Sequence, residues 1–332
     1  MPAPNTKILS LTRLSENQLN IIKDVNPYIE VIIKSKDEVL EYIDDADILL
    51  VKDSYPQEIL NRKNLRLKWI HFLSHRADDV FFSGPNDELS DFGTKLSDII
   101  ITNSKGSGEV PISEHVMAMI LGLSRGLNFF ARAQQNHNWE RNEIILEEIC
   151  NKTLVLLGLG YVNRVIAKKA KAFGMHVTAV TNTITNTELF IDHVFRLDRK
   201  SCLRAVAEGD FVLSNFNLTK STRRIIDREI FEAMRPTAYF ISIASGEIVV
   251  EEDLIKALQD KKIKGAALDV FEDMPLSKDS PLWDMPNVII TPDVAAFSPA
   301  YKDRAIKFFV ENLILFLEKQ PLFNVINHLD HL

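Results

Sequence analysis

A chain of 332 residues, 46% hydrophobic and 26% charged, can bury a large core and has room for two domains. Its net charge of -7, with both signs interspersed and no run of Lys or Arg, excludes an extended nucleic-acid surface; a small anionic ligand needs only local positive charge and stays compatible. The longest apolar runs, such as 116–121 and 313–317, are too short to cross a bilayer, and the opening Met-Pro-Ala-Pro-Asn lacks the charged-then-apolar pattern of a secretion signal, so no membrane association and a cytoplasmic location are expected.

Short β-type runs come first, at 8–11, 31–33, 48–51, 67–72 and 99–102, with charged, helix-favouring sequence between several of them. That rhythm predicts an open, mostly parallel α/β sheet. A long helix follows, opened by Pro111 and carrying Ile112, Val116, Ile120, Leu123 and Leu127 on one face, with His115 assigned to its packing; a polar stretch, 133–142, comes next. Cys150 and Cys202 give neither a disulfide framework nor metal-ligand spacing, so ordinary thiols and no metal site are expected. A second α/β series has predicted strands at 152–157, 177–180, 211–213, 238–243, 265–268 and 288–290, and a last helix at 300–318.

Within the second series, LVLLGLGYVN at 154–163 reads as a strand, a glycine turn and the start of a helix over 164–173. Gly158 permits the tight turn, and Gly160 lets the backbone approach a pyrophosphate whose charge would sit at the amide-rich helix start. Asn163 occupies the place of the third glycine, which normally allows close helix-to-strand packing; it is expected to push the helix outward or fill space near the phosphates, weakening binding. Where strand 177–180 ends, an acid usually bonds the adenosine ribose, but Thr181 stands there, followed by Asn182 and Thr183. The missing acid removes the repulsion of a ribose 2'-phosphate and no adjacent Arg arrives to bind one, so NAD and NADP both stay open.

Three further stretches, SIASG at 242–246, ALDVFEDMP at 267–275 and TPDVAA at 291–296, resemble the NxARG, ALDVFexEP and TPHxAA motifs of the D-isomer-specific 2-hydroxyacid dehydrogenase family, and the resemblance runs from about residue 45 onward. NLTKST at 217–222 and MRP at 234–236 are similar to the family as well. The resemblance implies an α/β fold of two domains. A flavodoxin-like outer domain (1–104 with 298–332) would carry an inserted Rossmann dinucleotide-binding domain (105–297). It also implies NAD or NADP as cofactor, bound by Gly158, Leu159, Gly160, Tyr161, Val162, Asn163, Thr181, Asn217, Thr222, Ala244 and Asp269. A homodimer is implied through the long helix and the segment to Cys150, which holds Phe129, Phe130, Trp139, Ile144, Ile145 and Leu146.

In that family an Arg grips the substrate carboxylate, a His exchanges the proton and a Glu orients and charges the His. Here those places hold Ser245, Asp293 and Met274 respectively. Ser245 cannot make an ionic fork, Met274 accepts only weakly, and Asp293 donates a proton only if burial raises its pKa well above the ordinary value of about 3.9. Glu272 and Asp273 could supply a shifted carboxylate, but no histidine lies between His193 and His328 and no arginine between Arg235 and Arg304. WIHFLSHRAD at 69–78 resembles the family's substrate loop SAGvD, with His75 and Arg76 in place of small residues and Ser74, Asn103 and Ser104 as polar neighbours. Two hypotheses lead. One is a silent or nearly silent NAD(P)-binding member, a pseudoenzyme acting through binding. The other is an oxidoreductase with a rebuilt site, in which Asp293 or His75 handles protons and Arg76 holds a small acidic substrate. A conventional 2-hydroxyacid dehydrogenase ranks behind both.

Overall fold

Runs such as Ile48–Val51, whose four side chains are all buried, can lie only in a sheet covered on both faces, and such runs build two parallel sheets. The computed structural model describes residues 5–52, 54–55, 58–59, 62, 65–74, 99–141, 144–182 and 189–326. Two units divide the chain, Met1–Gly108 with Ser298–Leu332, and Glu109–Phe297.

In the first unit the described elements are β1 (Thr6–Ser10), α1 (Glu16–Lys23), β2 (Ile29–Ile33), α2 (Val39–Tyr42), β3 (Ile48–Val51), β4 (Trp69–Phe72) and β5 (Ile100–Asn103). Their order, β2-β1-β3-β4-β5, is flavodoxin-like, and every pairing is parallel. A capping box starts α1: the Ser15 hydroxyl accepts from the Gln18 amide, and the Gln18 side chain accepts from the Ser15 amide.

The second unit begins with α3 (Glu109–Ser124) and α4 (Leu127–Gln135). A single helix to Leu127 was expected, but the helix stops at Ser124 because Gly126 takes φ +62 and a Cβ there would run into the Ile144 side chain. Leu127 is accordingly 58% exposed instead of buried. Then follow β6 (Thr153–Leu157), α5 (Tyr161–Ala172), β7 (His176–Thr181), β8 (His193–Arg196), α6 (Arg199–Glu208), β9 (Phe211–Ser214), α7 (Arg228–Ala233), β10 (Tyr239–Ser242), α8 (Glu251–Gln259), β11 (Gly265–Leu268) and β12 (Val288–Ile290). The seven strands lie in the order β12-β11-β10-β9-β6-β7-β8, all parallel. Apolar clusters cover both faces of this sheet. From β6 the chain moves outward through β7 and β8, then returns to β9 on the other side, which makes the ends of β6 and β9 the topological switch point.

At the starts of these strands charges tie the preceding segment down. Asp210 accepts from the Thr153 amide at 2.8 Å and faces Lys152 at 3.6 Å and Arg235 at 3.7 Å. Glu147 pairs with Lys152 at 3.0 Å and with Lys264. Burial alone would raise the Glu147 carboxyl, but the hydrogen bonds from Lys264 and Lys152 outweigh it and hold it below its usual range. Among the described residues no helix is long and apolar enough to cross a membrane, and no group of three or more His, Cys, Asp or Glu is placed to hold a metal ion.

Returning to the first unit, α9 (Tyr301–Leu317) stacks Phe309 on Trp69 at 5.1 Å between ring centroids. Beside them His71 is wholly buried, with Nδ1 2.7 Å from the Thr102 hydroxyl and Nε2 3.0 Å from the Ser104 hydroxyl. Desolvation pushes its pKa down to about 3, so the folded state keeps the ring neutral. Because the folded value lies below the unfolded value of about 6.5, the unfolded chain binds the extra proton between these limits, and acid removes stability. The denaturation midpoint should fall below pH 6.5, with His71 contributing up to about 1.4 kcal/mol per pH unit. His71→Gln should flatten that slope by one proton; wild type and variant with equal slopes would contradict the assignment.

Candidate functional site

The glycine turn sits at the switch point. Gly158 adopts φ +101, and a Cβ there would lie 2.7 Å from the Asn215 carbonyl oxygen, so only glycine lets β6 end this close to the chain leaving β9. Its amide donates to the Val180 carbonyl at 2.9 Å, and the Asn215 amide donates to the Leu157 carbonyl at 3.0 Å. Gly160 differs: a Cβ there meets nothing within 4 Å, and it starts α5 with no side-chain capping bond. Open space thus lies beside a helix start whose first amides have no side-chain cap, which suits an anion. Leu159 is buried, Val162 packs into the core and Tyr161 is exposed. Asn163 was expected to push the helix outward or fill space near the phosphates. Its side chain is fully buried, its amide donating to the Gly158 carbonyl at 2.7 Å and accepting from Asn215 at 2.8 Å, so it does not fill phosphate space.

Three neighbouring strands, β10, β11 and β12, deliver the other motifs at their ends. The turn at Gly246 abuts the 271–272 backbone so closely that a Cβ would fall 1.7 Å from the Phe271 carbonyl oxygen. Asp269, buried, organises the loop after β12: its carboxylate accepts from the Thr291 hydroxyl at 2.5 Å and from the Val294 and Ala295 amides at 3.0 Å each. His115 on α3 puts Nε2 3.0 Å from the Thr291 hydroxyl and 3.6 Å from Asp269. Its role is a polar tie between helix and loop, where simple packing was expected; the partner lies 176 residues away in sequence. Asp293, at φ +55, is held through its own amide by the Asp269 and Thr291 carbonyls at 2.8 and 3.2 Å.

Residues 117–295, more than half of the chain, match the family model described as D-isomer specific 2-hydroxyacid dehydrogenase, NAD binding domain. The chain belongs to the D-isomer specific 2-hydroxyacid dehydrogenase family. It is 29% identical over 325 residues to a D-3-phosphoglycerate dehydrogenase of Methanocaldococcus jannaschii, covering 97% of this chain and 59% of that protein, so the chain spans little more than half the length of that relative. A glyoxylate reductase of Pyrococcus furiosus is 26% identical over 323 residues, covering 93% of this chain and 92% of that protein. Among solved structures, a D-isomer specific 2-hydroxyacid dehydrogenase family protein from Aeromonas salmonicida superposes with a TM-score of 0.82 at 27% identity, covering 98% of this chain and 99% of that one. The cofactor is NAD or NADP, and the turn at Gly158 with the open space at Gly160 fits such a group.

The places that resemble the family's catalytic motifs lie at the ends of these strands. Ser245 precedes the tight turn at Gly246 and is half-buried, Met274 is 52% exposed, and Asp293 is half-buried. The shifted carboxylate is already engaged: Glu272 pairs with Arg224, while its amide donates to Glu251 at 3.1 Å. Burial raises the Glu251 carboxyl, opposed by that amide and reinforced by the Glu272 and Asp273 charges. Arg223 pairs with Glu247 at 2.5 Å, so two arginines from 217–226 stand beside the residues that follow Ser245 and precede Met274. Sequence reasoning missed them; their signal was the Arg pair directly after Thr222.

Several expected cofactor residues have internal duties. The buried Thr222 hydroxyl donates to the Asn217 carbonyl at 2.6 Å and accepts from the Thr219 amide at 2.8 Å, closing a loop on which Asn217 is exposed. Thr181 ends β7 buried, and Ala244 is half-buried. His75, Arg76 and Thr183 lie outside the described residues.

The two glycines separate structure from binding. Gly158→Ala should cost about 2 kcal/mol or more of stability, from its left-handed φ and the backbone clash. Gly160→Ala should cost about 1 kcal/mol or less. Its methyl would intrude on the open space, and NADH or NADPH affinity should drop at least about tenfold. Thermal melts and calorimetry check both, and undiminished binding by Gly160→Ala would contradict the placement.

Proposed function

We propose that this protein binds NAD(P) as a family member whose hydride-transfer residues have been replaced, and that it is silent or very slow as a 2-hydroxyacid dehydrogenase. When bound, the nicotinamide supplies or accepts a hydride; the chain must handle the accompanying proton and hold the substrate carboxylate. The single observation supporting the proposal is that the loops carrying positions 245, 274 and 293 are folded and hydrogen-bonded while the residue types are wrong for the task. Ser245 offers one neutral hydroxyl in place of a two-pronged cation. Met274 has no charge with which to orient an imidazole. Asp293 puts a carboxylate, which when ionised can only accept, at the place of the family's imidazole. Loss of the acid-base group alone removes on the order of 10² to 10⁴ in rate. The neighbouring carboxylate at Glu272 is paired with Arg224.

The same proposal includes a homodimer and a cytoplasmic setting, the latter supported by two free cysteines. Supporting the dimer, the segment after α3 carries apolar side chains in solvent: Trp139 at 95% and Ile145 at 86% exposure, with Leu127 and Leu146 also exposed.

Wild-type protein should consume NADH or NADPH very slowly with glyoxylate, pyruvate or hydroxypyruvate; brisk turnover of any of them refutes the loss of mechanism. Restoring Ser245→Arg, Met274→Glu and Asp293→His together should raise turnover far more than any single restoration, since such residues act as a unit. In light scattering, Trp139→Glu combined with Ile145→Glu should shift the dimer to monomer, and an unchanged mass would refute that interface.

A further inference from the structure

Position 163, where the fingerprint has its third glycine, carries an amide that is wholly buried, with a partner for its nitrogen and one for its oxygen. Its orientation is determined by chemistry. The Gly158 carbonyl can only accept, so the Asn163 nitrogen must face it; the Asn163 oxygen then faces Asn215, whose amide nitrogen donates. Asn215 is itself held beside the turn in two other ways, by its backbone amide on the Leu157 carbonyl and by its backbone carbonyl oxygen, which lies 2.7 Å from where a Cβ of Gly158 would be. The two asparagines come from α5 and from the chain leaving β9, 52 residues apart, and meet at the crossing between the two halves of the sheet.

We infer that Asn163 is a positioning residue for the dinucleotide: with Asn215 it forms a side-chain latch that holds the 158–160 turn in its binding shape before any ligand arrives. A glycine at this place gives close packing but has no side chain with which to make these two bonds. The latch supplies the order in advance, so less conformational freedom is lost on binding. The amide lies beneath the turn, and the space beside Gly160 stays open. Asn163 is thus a device supporting affinity, opposite in sign to what departure from the fingerprint suggests. The inference rests on the cofactor assignment of the turn.

Asn163→Gly decides between the two signs. If the asparagine is a defect, restoring the glycine tightens binding. If it is a latch, calorimetry with NADH, NADPH and ADP-ribose should show binding weakened by about 5- to 30-fold, as expected for two lost hydrogen bonds. Asn215→Ala, which leaves the fingerprint untouched, should weaken binding in the same direction, and the double variant should bind no worse than the weaker single. In ligand-free protein, amide hydrogen exchange at 158–160 should be faster in Asn163→Gly, with the rest of the sheet unchanged. Equal or tighter binding by Asn163→Gly, or unchanged exchange at the turn, overturns the inference. Wild-type protein that binds none of the three probes, with the exchange difference intact, overturns the cofactor assignment and the positioning role with it.

Discussion

A carboxylate shut away from water governs the ligand-facing end of the seven-stranded sheet. Asp269 can stay buried only because donors surround it, and those donors are the hydroxyl of Thr291 and the backbone amides of Val294 and Ala295. Satisfying one charge therefore dictates the path of the loop after β12 and the left-handed backbone of Asp293. Through Thr291 the same node reaches His115 and so registers α3 against the strand ends. The bonds that place Asp293 in this loop run through its backbone amide, and its left-handed backbone is one that Asp adopts more readily than most residues.

Other turns of this sheet rest on backbone contact as well. The tight contact of Gly246 with the 271–272 backbone needs only a missing Cβ, and the approach of Gly158 to Asn215 needs the same. Neither depends on the identity of residues 245 or 274. Backbone contacts of this kind fix the turns at Gly158 and Gly246.

How much was legible from the sequence follows from the range of each interaction. Strands such as Ile48–Val51 and Gly265–Leu268 were readable because an uninterrupted apolar run, buried on both faces, has no other comfortable state. Strand β8, His193–Arg196, was not foreseen: at the sheet edge three of its four residues are exposed, so no periodic signal remains. The glycine turn was visible because Gly158 and Gly160 are adjacent to a strong strand. The direction of the Asn163 side chain was not, since it depends on Asn215, and the tie of His115 depends on Thr291, 176 residues on. The arginines at 223 and 224 escaped notice for the same reason, their partners Glu247 and Glu272 lying in other motifs.

The two poles of the seven-stranded sheet are fastened by different forces. At the strand starts, Glu147 and Asp210 gather Lys152, Lys264 and Arg235, partly exposed charges whose attraction a millimolar-to-molar rise in electrolyte screens. At the far pole, the turn at 158–160 is fastened by neutral amides, by backbone contact and by the Arg164 guanidinium, which donates to the Leu159 carbonyl at 3.0 Å, with no carboxylate pair among these bonds. Ionic strength consequently acts more strongly on the strap at 144–152 and the apolar side chains it carries than on the cradle above β6.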